Sequence, residues 1–140
     1  TFFKKEVDYR QMKSVAHDFT YLIIDLGHID SKNTRNMEIF ADADVSVLIG
    51  SGSEWRRGEI FKFCHENSNL PQDRWRVVLP MASEKSRDRM ADVLQGRPVF
   101  SMPYHNEPFT QQEDAYQAME AILSPVIPKK KKKGILGYIF

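Results

Sequence analysis

Four short apolar runs, at residues 21–24, 45–49, 75–79 and 98–102, recur along this chain with helix-patterned sequence between them. That recurrence limits the fold more than any other feature. The run Tyr21-Leu22-Ile23-Ile24 lacks the polar/apolar alternation of a strand with one wet face. It reads instead as a strand covered on both sides, as in parallel sheets. Parallel neighbours need a crossover of a dozen or more residues, and a helix supplies it most simply. The predicted fold is therefore α/β, a mostly parallel sheet with flanking helices in a Rossmann-like arrangement.

The segments between the runs support this order. Met12, Val15 and Ala16 stand at helical spacing ahead of the first strand, and Met37, Ile39 and Phe40 mark a short helix after a polar loop at 28–36. The second strand ends in Gly50-Ser51-Gly52-Ser53, where Ser53 is expected to cap a helix whose apolar face carries Trp55, Ile60, Phe61 and Cys64. Ser83 is expected to cap the next helix, with Met90, Val93 and Leu94 facing inward and Gly96 closing it. Thr110-Gln111-Gln112-Glu113 fits a capping box for a last helix, packed through Tyr116, Met119, Ile122 and Leu123. Two regions result: an α/β domain over residues 1–124 and a tail over 125–140.

Composition is that of an ordinary soluble globular protein, 41% hydrophobic and 28% charged. The single cysteine, Cys64, excludes an internal disulfide framework, and its apolar neighbours suggest a buried, unreactive thiol. A cytoplasmic setting, with peripheral membrane contact at most, is expected. The formal net charge is +1, and subtracting the five lysines of 129–133 leaves residues 1–128 at −4. An acidic body with its positive charge confined to a tail argues against direct nucleic-acid binding.

Asp25 is the first candidate for chemistry. It stands at the carboxyl end of a predicted strand, where ligands of parallel sheets collect, and precedes the Gly27 turn. The alternative is a carboxylate that merely caps that turn. Gly50-Ser51-Gly52-Ser53 resembles an anion cradle but lacks a neighbouring lysine, so a tight strand-to-helix turn is the simpler reading. The four histidines, His17, His28, His65 and His105, show no zinc-type spacing and read as turn or surface residues.

The tail joins Lys129, Lys130, Lys131, Lys132 and Lys133 to an apolar end containing Ile135, Leu136, Tyr138, Ile139 and Phe140. A polybasic run beside apolar groups supplies the two components of reversible attachment to an anionic membrane surface. Each lysine near such a surface contributes about 1 kcal/mol. The segment is too short to span a bilayer.

The order of these motifs resembles the C-terminal half of the MinD/ParA family of deviant-Walker P-loop ATPases, which includes pilus-localisation and septum-site proteins. Residues 18–27, ending Tyr21-Leu22-Ile23-Ile24-Asp25-Leu26-Gly27, look like its Walker B strand. Ala43-Asp44-Val45-Ser46-Val47-Leu48-Ile49 looks like the next strand, and Trp75-Arg76-Val77-Val78-Leu79 like the one leading to the adenine-reading position. Residues 98–104 look like the final strand and its proline turn. The resemblance implies a partial P-loop NTPase fold, ATP and magnesium as cofactors, and a cellular role in positioning or partitioning. It implies that Asp25 holds a magnesium-bound water and that Gly27, Pro80, Met81, Pro103 and Tyr104 adjoin the nucleotide. It also implies a homodimer whose two tails anchor together.

Two features depart from the family. Pro80 stands where many members carry an adenine-reading asparagine, and no Gly-Lys-Ser/Thr phosphate loop occurs in the chain. The expectation is that the phosphate loop comes from residues preceding Thr1 and that the chain alone is inactive. The alternative is a non-enzymatic membrane-recruitment scaffold with a degenerate ATPase fold. A receiver-like or flavodoxin-like domain ranks below both, because Asp25 has no acidic companions at the strand ends.

Overall fold

A computed structural model describes residues 8–53, 56–107 and 110–128. The chain divides into two compact units, Thr1–Ala43 and Asp44–Phe140.

The first unit holds two helices, α1 (Tyr9–Ala16) and α2 (Thr34–Asp42). Each starts on a side chain that satisfies an otherwise orphaned N–H. Asp8 accepts from Arg10 N–H at 3.1 Å, and Asn33 accepts from Asn36 N–H at 3.1 Å. Asp42 ties the two helices together, accepting from Tyr9 Oη at 3.0 Å and pairing with Lys13. Burial, then the bond to Asp42, raises the Tyr9 phenol above its ordinary pKa. Met37, Ile39 and Phe40 are buried, as their spacing suggested.

The predicted strand at 21–24 is not formed. Residues 21–27 carry no regular structure, and Ile23 is 91% exposed. Residues 20–26 make no backbone–backbone hydrogen bond to another described residue. The physical reason is general: an apolar run becomes a strand only when a neighbouring strand accepts its backbone groups.

The second unit matches the predicted class. Strands β1 (Ser46–Ile49), β2 (Trp75–Pro80) and β3 (Val99–Met102) form an all-parallel, open sheet in the order β1-β2-β3. Helix α3 (Arg57–Glu66) connects β1 to β2, and α4 (Glu84–Val93) connects β2 to β3. Helix α5 (Glu113–Ile122) follows β3. The central strand is the apolar one: Val77, Val78 and Leu79 are all buried, so both of its faces are covered. Full burial of a side chain such as Leu79 contributes about 1.5–3 kcal/mol. Edge strand β1 alternates, with Ser46 and Leu48 buried while Val47 and Ile49 face outward.

Helix α4 follows its sequence signals closely. Ser83 Oγ accepts from Ser86 N–H at 3.2 Å at the start. At the end, Gly96 N–H reaches Ala91 O at 2.9 Å and Gln95 N–H reaches Asp92 O at 3.1 Å, a Schellman closure with left-handed φ at both residues. Met90 and Leu94 are fully buried, but Val93 is exposed.

The other two helices depart from expectation. The N-cap of α3 is Arg56, without a side-chain cap, and Ser53 instead exchanges a hydroxyl contact of 2.9 Å with Ser51. Trp55 lies outside the described residues, Ile60 and Cys64 are buried, and Phe61 is exposed. The N-cap of α5 is Gln112, also without a side-chain bond, and only Ile122 of that helix is buried. Tyr116 and Met119, read from the sequence as packed, are exposed.

Candidate functional site

Backbone pairing of β2 with β3 continues past the strand ends and brings two proline turns together. Met81 N–H donates to Met102 O at 2.8 Å, and Ser101 Oγ donates to Ala82 O at 2.7 Å. The loops that leave β2 and β3 are thus fastened to each other at the carboxyl edge of the sheet. Between them lies a cleft of about 310 Å³ lined by Pro80, Met81, Pro103, Tyr104, His105 and Ala115. That volume is at the lower end for small-molecule sites, about 300–1,000 Å³.

Met81 adopts φ 56°, a left-handed conformation that costs a residue with a Cβ about 1–2 kcal/mol. At the rim of the cleft Met81 is 69% and Tyr104 67% exposed. A flat, apolar ligand edge suits such walls. Polar contact is limited: the Met81 N–H is already used, and prolines have none to give. His105 supplies the polar side chain. Its Nε2 lies 2.9 Å from Asp114 Oδ1 on α5, a close approach that is out of line for a hydrogen bond.

The loop after β1 reaches the same edge. A Cβ on Gly52 would lie 2.8 Å from Ala82 Cβ, so glycine is required by the close approach of two backbones. A Cβ on Gly50 would collide with the Ile60 side chain. Gly50 N–H donates to Val78 O at 3.0 Å, and Ser53 N–H donates to Ser51 Oγ at 3.2 Å. These bonds engage two of the segment's backbone donors, Gly50 and Ser53 N–H, in a strand-to-helix turn.

Of the sequence-derived nucleotide positions, Pro80, Met81, Pro103 and Tyr104 meet in this cleft. Gly27 belongs to the first unit, with φ 63°. Asp25 lies exposed in the same unit, where its Oδ1 accepts from Gly27 N–H at 2.8 Å, the geometry of a turn-capping carboxylate. Among the described residues no three His, Cys, Asp or Glu side chains gather into a metal-binding group. His105 and Ala115 were not anticipated. His105 follows directly on the proline turn and could have been included on that adjacency, whereas Ala115 reaches the cleft only through the packing of α5.

Cys64 is buried, and desolvation raises its thiol pKa, only partly offset by Arg97. A neutral, inaccessible thiol is no nucleophile. The tail residues Lys129, Lys130, Lys131, Lys132, Lys133, Ile135, Leu136, Tyr138, Ile139 and Phe140 lie outside the described residues. No helix among the described residues is long and apolar enough to cross a membrane.

Fold and cleft together define a class: an α/β unit with an open parallel sheet and an apolar cleft at its carboxyl edge. No family model, no curated protein and no solved structure matches the chain.

Proposed function

We propose that this chain is the base-side half of a MinD/ParA-like ATPase, acting in membrane-associated positioning or partitioning. The carrying observation is the meeting of Pro80-Met81 with Pro103-Tyr104 at the carboxyl edge of a parallel sheet, where ligands of open α/β sheets bind. In this reading the cleft walls sandwich the base, with Met81 and Tyr104 on its faces and His105 nearest its polar edge. The resemblance assigns Asp25, which belongs to the first unit, to orienting a magnesium-bound water. The polybasic, apolar tail attaches the protein reversibly to an anionic membrane surface, and pairing of two copies strengthens two weak anchors.

Direct titration with adenosine and with magnesium-ATP tests the base-side role. Weak adenosine binding that is lost in Tyr104→Ala is expected, with no ATP turnover by the purified chain. Turnover would overturn the assignment of the phosphate loop to residues outside the chain, and absence of adenosine binding would overturn the nucleotide role. Co-sedimentation with anionic vesicles tests the tail: a chain ending at Pro128 should lose binding, and equal binding removes the membrane role.

A second reading is favoured by the polar poverty of the cleft. With Pro80 at the reading position and the Met81 N–H engaged by Met102 O, little remains to recognise an adenine. A recruitment scaffold that keeps the fold without nucleotide would then use the tail alone. Vesicle binding unaffected by ATP and by Tyr104→Ala would select it.

A further inference from the structure

We propose that Asp114 holds the His105 ring with its proton on Nε2, leaving Nδ1 as a hydrogen-bond acceptor, so that the cleft selects a flat ring with an amino donor on its edge. Within the nucleotide reading above, on which this assignment rests, that donor is the 6-amino group of adenine.

The two ring nitrogens of His105 differ in their surroundings. Nε2 is buried and makes no hydrogen bond to a described residue, yet Asp114 Oδ1 lies 2.9 Å from it. A lone pair on Nε2 would face the lone pairs of a carboxylate oxygen in a place where charge is poorly screened. A proton there turns the repulsion into attraction, even though the two groups are out of line for a hydrogen bond. Neutral imidazole carries one N–H and one lone pair, so a proton on Nε2 makes Nδ1 the acceptor.

The carboxylate is itself held in place. Asp114 Oδ1 accepts from Ala115 N–H at 2.9 Å in the first turn of α5, and Ala115 lines the cleft together with His105. Asp114 acts through His105 and is therefore a positioning residue. The other walls do not take over the discrimination. Pro80 and Pro103 have no N–H to offer, and the Met81 N–H is bound to Met102 O. Tyr104 contributes a hydroxyl that donates or accepts as its partner requires. Adenine presents an amino donor at the position where guanine presents a carbonyl acceptor. Against Nδ1 the first gains a hydrogen bond, and the second sets lone pair against lone pair.

Long-range proton–nitrogen NMR of the full chain, in mildly alkaline buffer where imidazole is neutral, reads the tautomer directly. His105 should show the pattern of an Nε2–H ring. Asp114→Asn, at a side chain that is 61% exposed, leaves the core intact and should move the pattern toward Nδ1–H, because its amide can donate to Nε2. A native ring with its proton on Nδ1 would overturn the proposal whatever the cleft binds. Calorimetric titration gives the second readout. Adenosine should bind at least fivefold tighter than purine riboside, which lacks only the amino group, and Asp114→Asn should bring that ratio toward one. Equal affinity of the native chain for the two nucleosides overturns the selectivity and leaves the nucleotide role standing. Absence of binding by either one overturns the nucleotide role, and this assignment with it.

Discussion

Tyr21-Leu22-Ile23-Ile24 and Val77-Val78-Leu79 are equally apolar, yet one is exposed in a loop of the first unit and the other is the buried centre of the sheet. The difference lies in the neighbours. Strand β2 is paired on both edges, with Val77 beside Leu48 and Val99, so every second backbone group is satisfied in either direction and helices can cover its faces. The stretch 20–26 has no such partner among the described residues. Hydrophobic sequence supplies the drive toward burial, but a strand needs an adjacent strand to bury its backbone.

Substitutions can break or sharpen this contrast, and the largest effect belongs to the sheet centre. Leu79→Ala should lower unfolding free energy by about 2–5 kcal/mol in urea melts, while Ile23→Ala should change it by less than about 0.5 kcal/mol. A cost above about 1 kcal/mol for Ile23→Ala would show that this run is buried in solution after all.

Gly50→Ala comes next. The added Cβ meets the Ile60 side chain, and overpacking of this kind costs about 1–3 kcal/mol. Pairing it with Ile60→Val should recover part of the loss. Ser83→Ala, which removes the N-cap of α4, should cost about 1 kcal/mol by the same measurement.

Asp25→Asn should be nearly silent for stability, within about 0.5 kcal/mol. An amide oxygen can still accept the Gly27 N–H. Loss of folding in this variant would make the turn, rather than any metal-directed role, the reason for the aspartate.

Cys64 gives a pH test of burial. Desolvation raises its thiol above the ordinary value of about 9.0. The stabilisation from the neutral, buried thiol is complete below the unfolded-state pKa and is lost as pH rises through the folded-state value. The stability difference between the native chain and Cys64→Ala should therefore shrink between neutral and strongly alkaline urea melts. A pH-independent difference would mean that the thiol ionises alike in both states.

Much of the second unit was legible because local chemistry and tertiary need coincide there. The helix α4 begins on Ser83 and ends at Gly96, since capping and left-handed closure are short-range events. It is the family resemblance that names Pro80, Met81, Pro103 and Tyr104 as neighbours of one site, and they meet in the cleft because strand ends in a parallel sheet converge on one edge. Elsewhere local signals competed and lost. Ser53 bonds within its own turn rather than capping α3, and Thr110-Gln111-Gln112-Glu113 forms no side-chain cap on α5. Tyr116 and Met119 have the spacing of a packed stripe, yet only Ile122 is buried.

The sequence by itself determined the class of fold, the order of strand and helix in residues 44–128, and the residues that close each turn of α4. These depend on side-chain periodicity and on contacts only a few residues apart. Tertiary structure alone decided which apolar runs become strands, which helix faces are covered, and that His105 and Ala115 complete the cleft. Those outcomes depend on partners distant in the chain, and a run of hydrophobic residues does not say whether a partner is there.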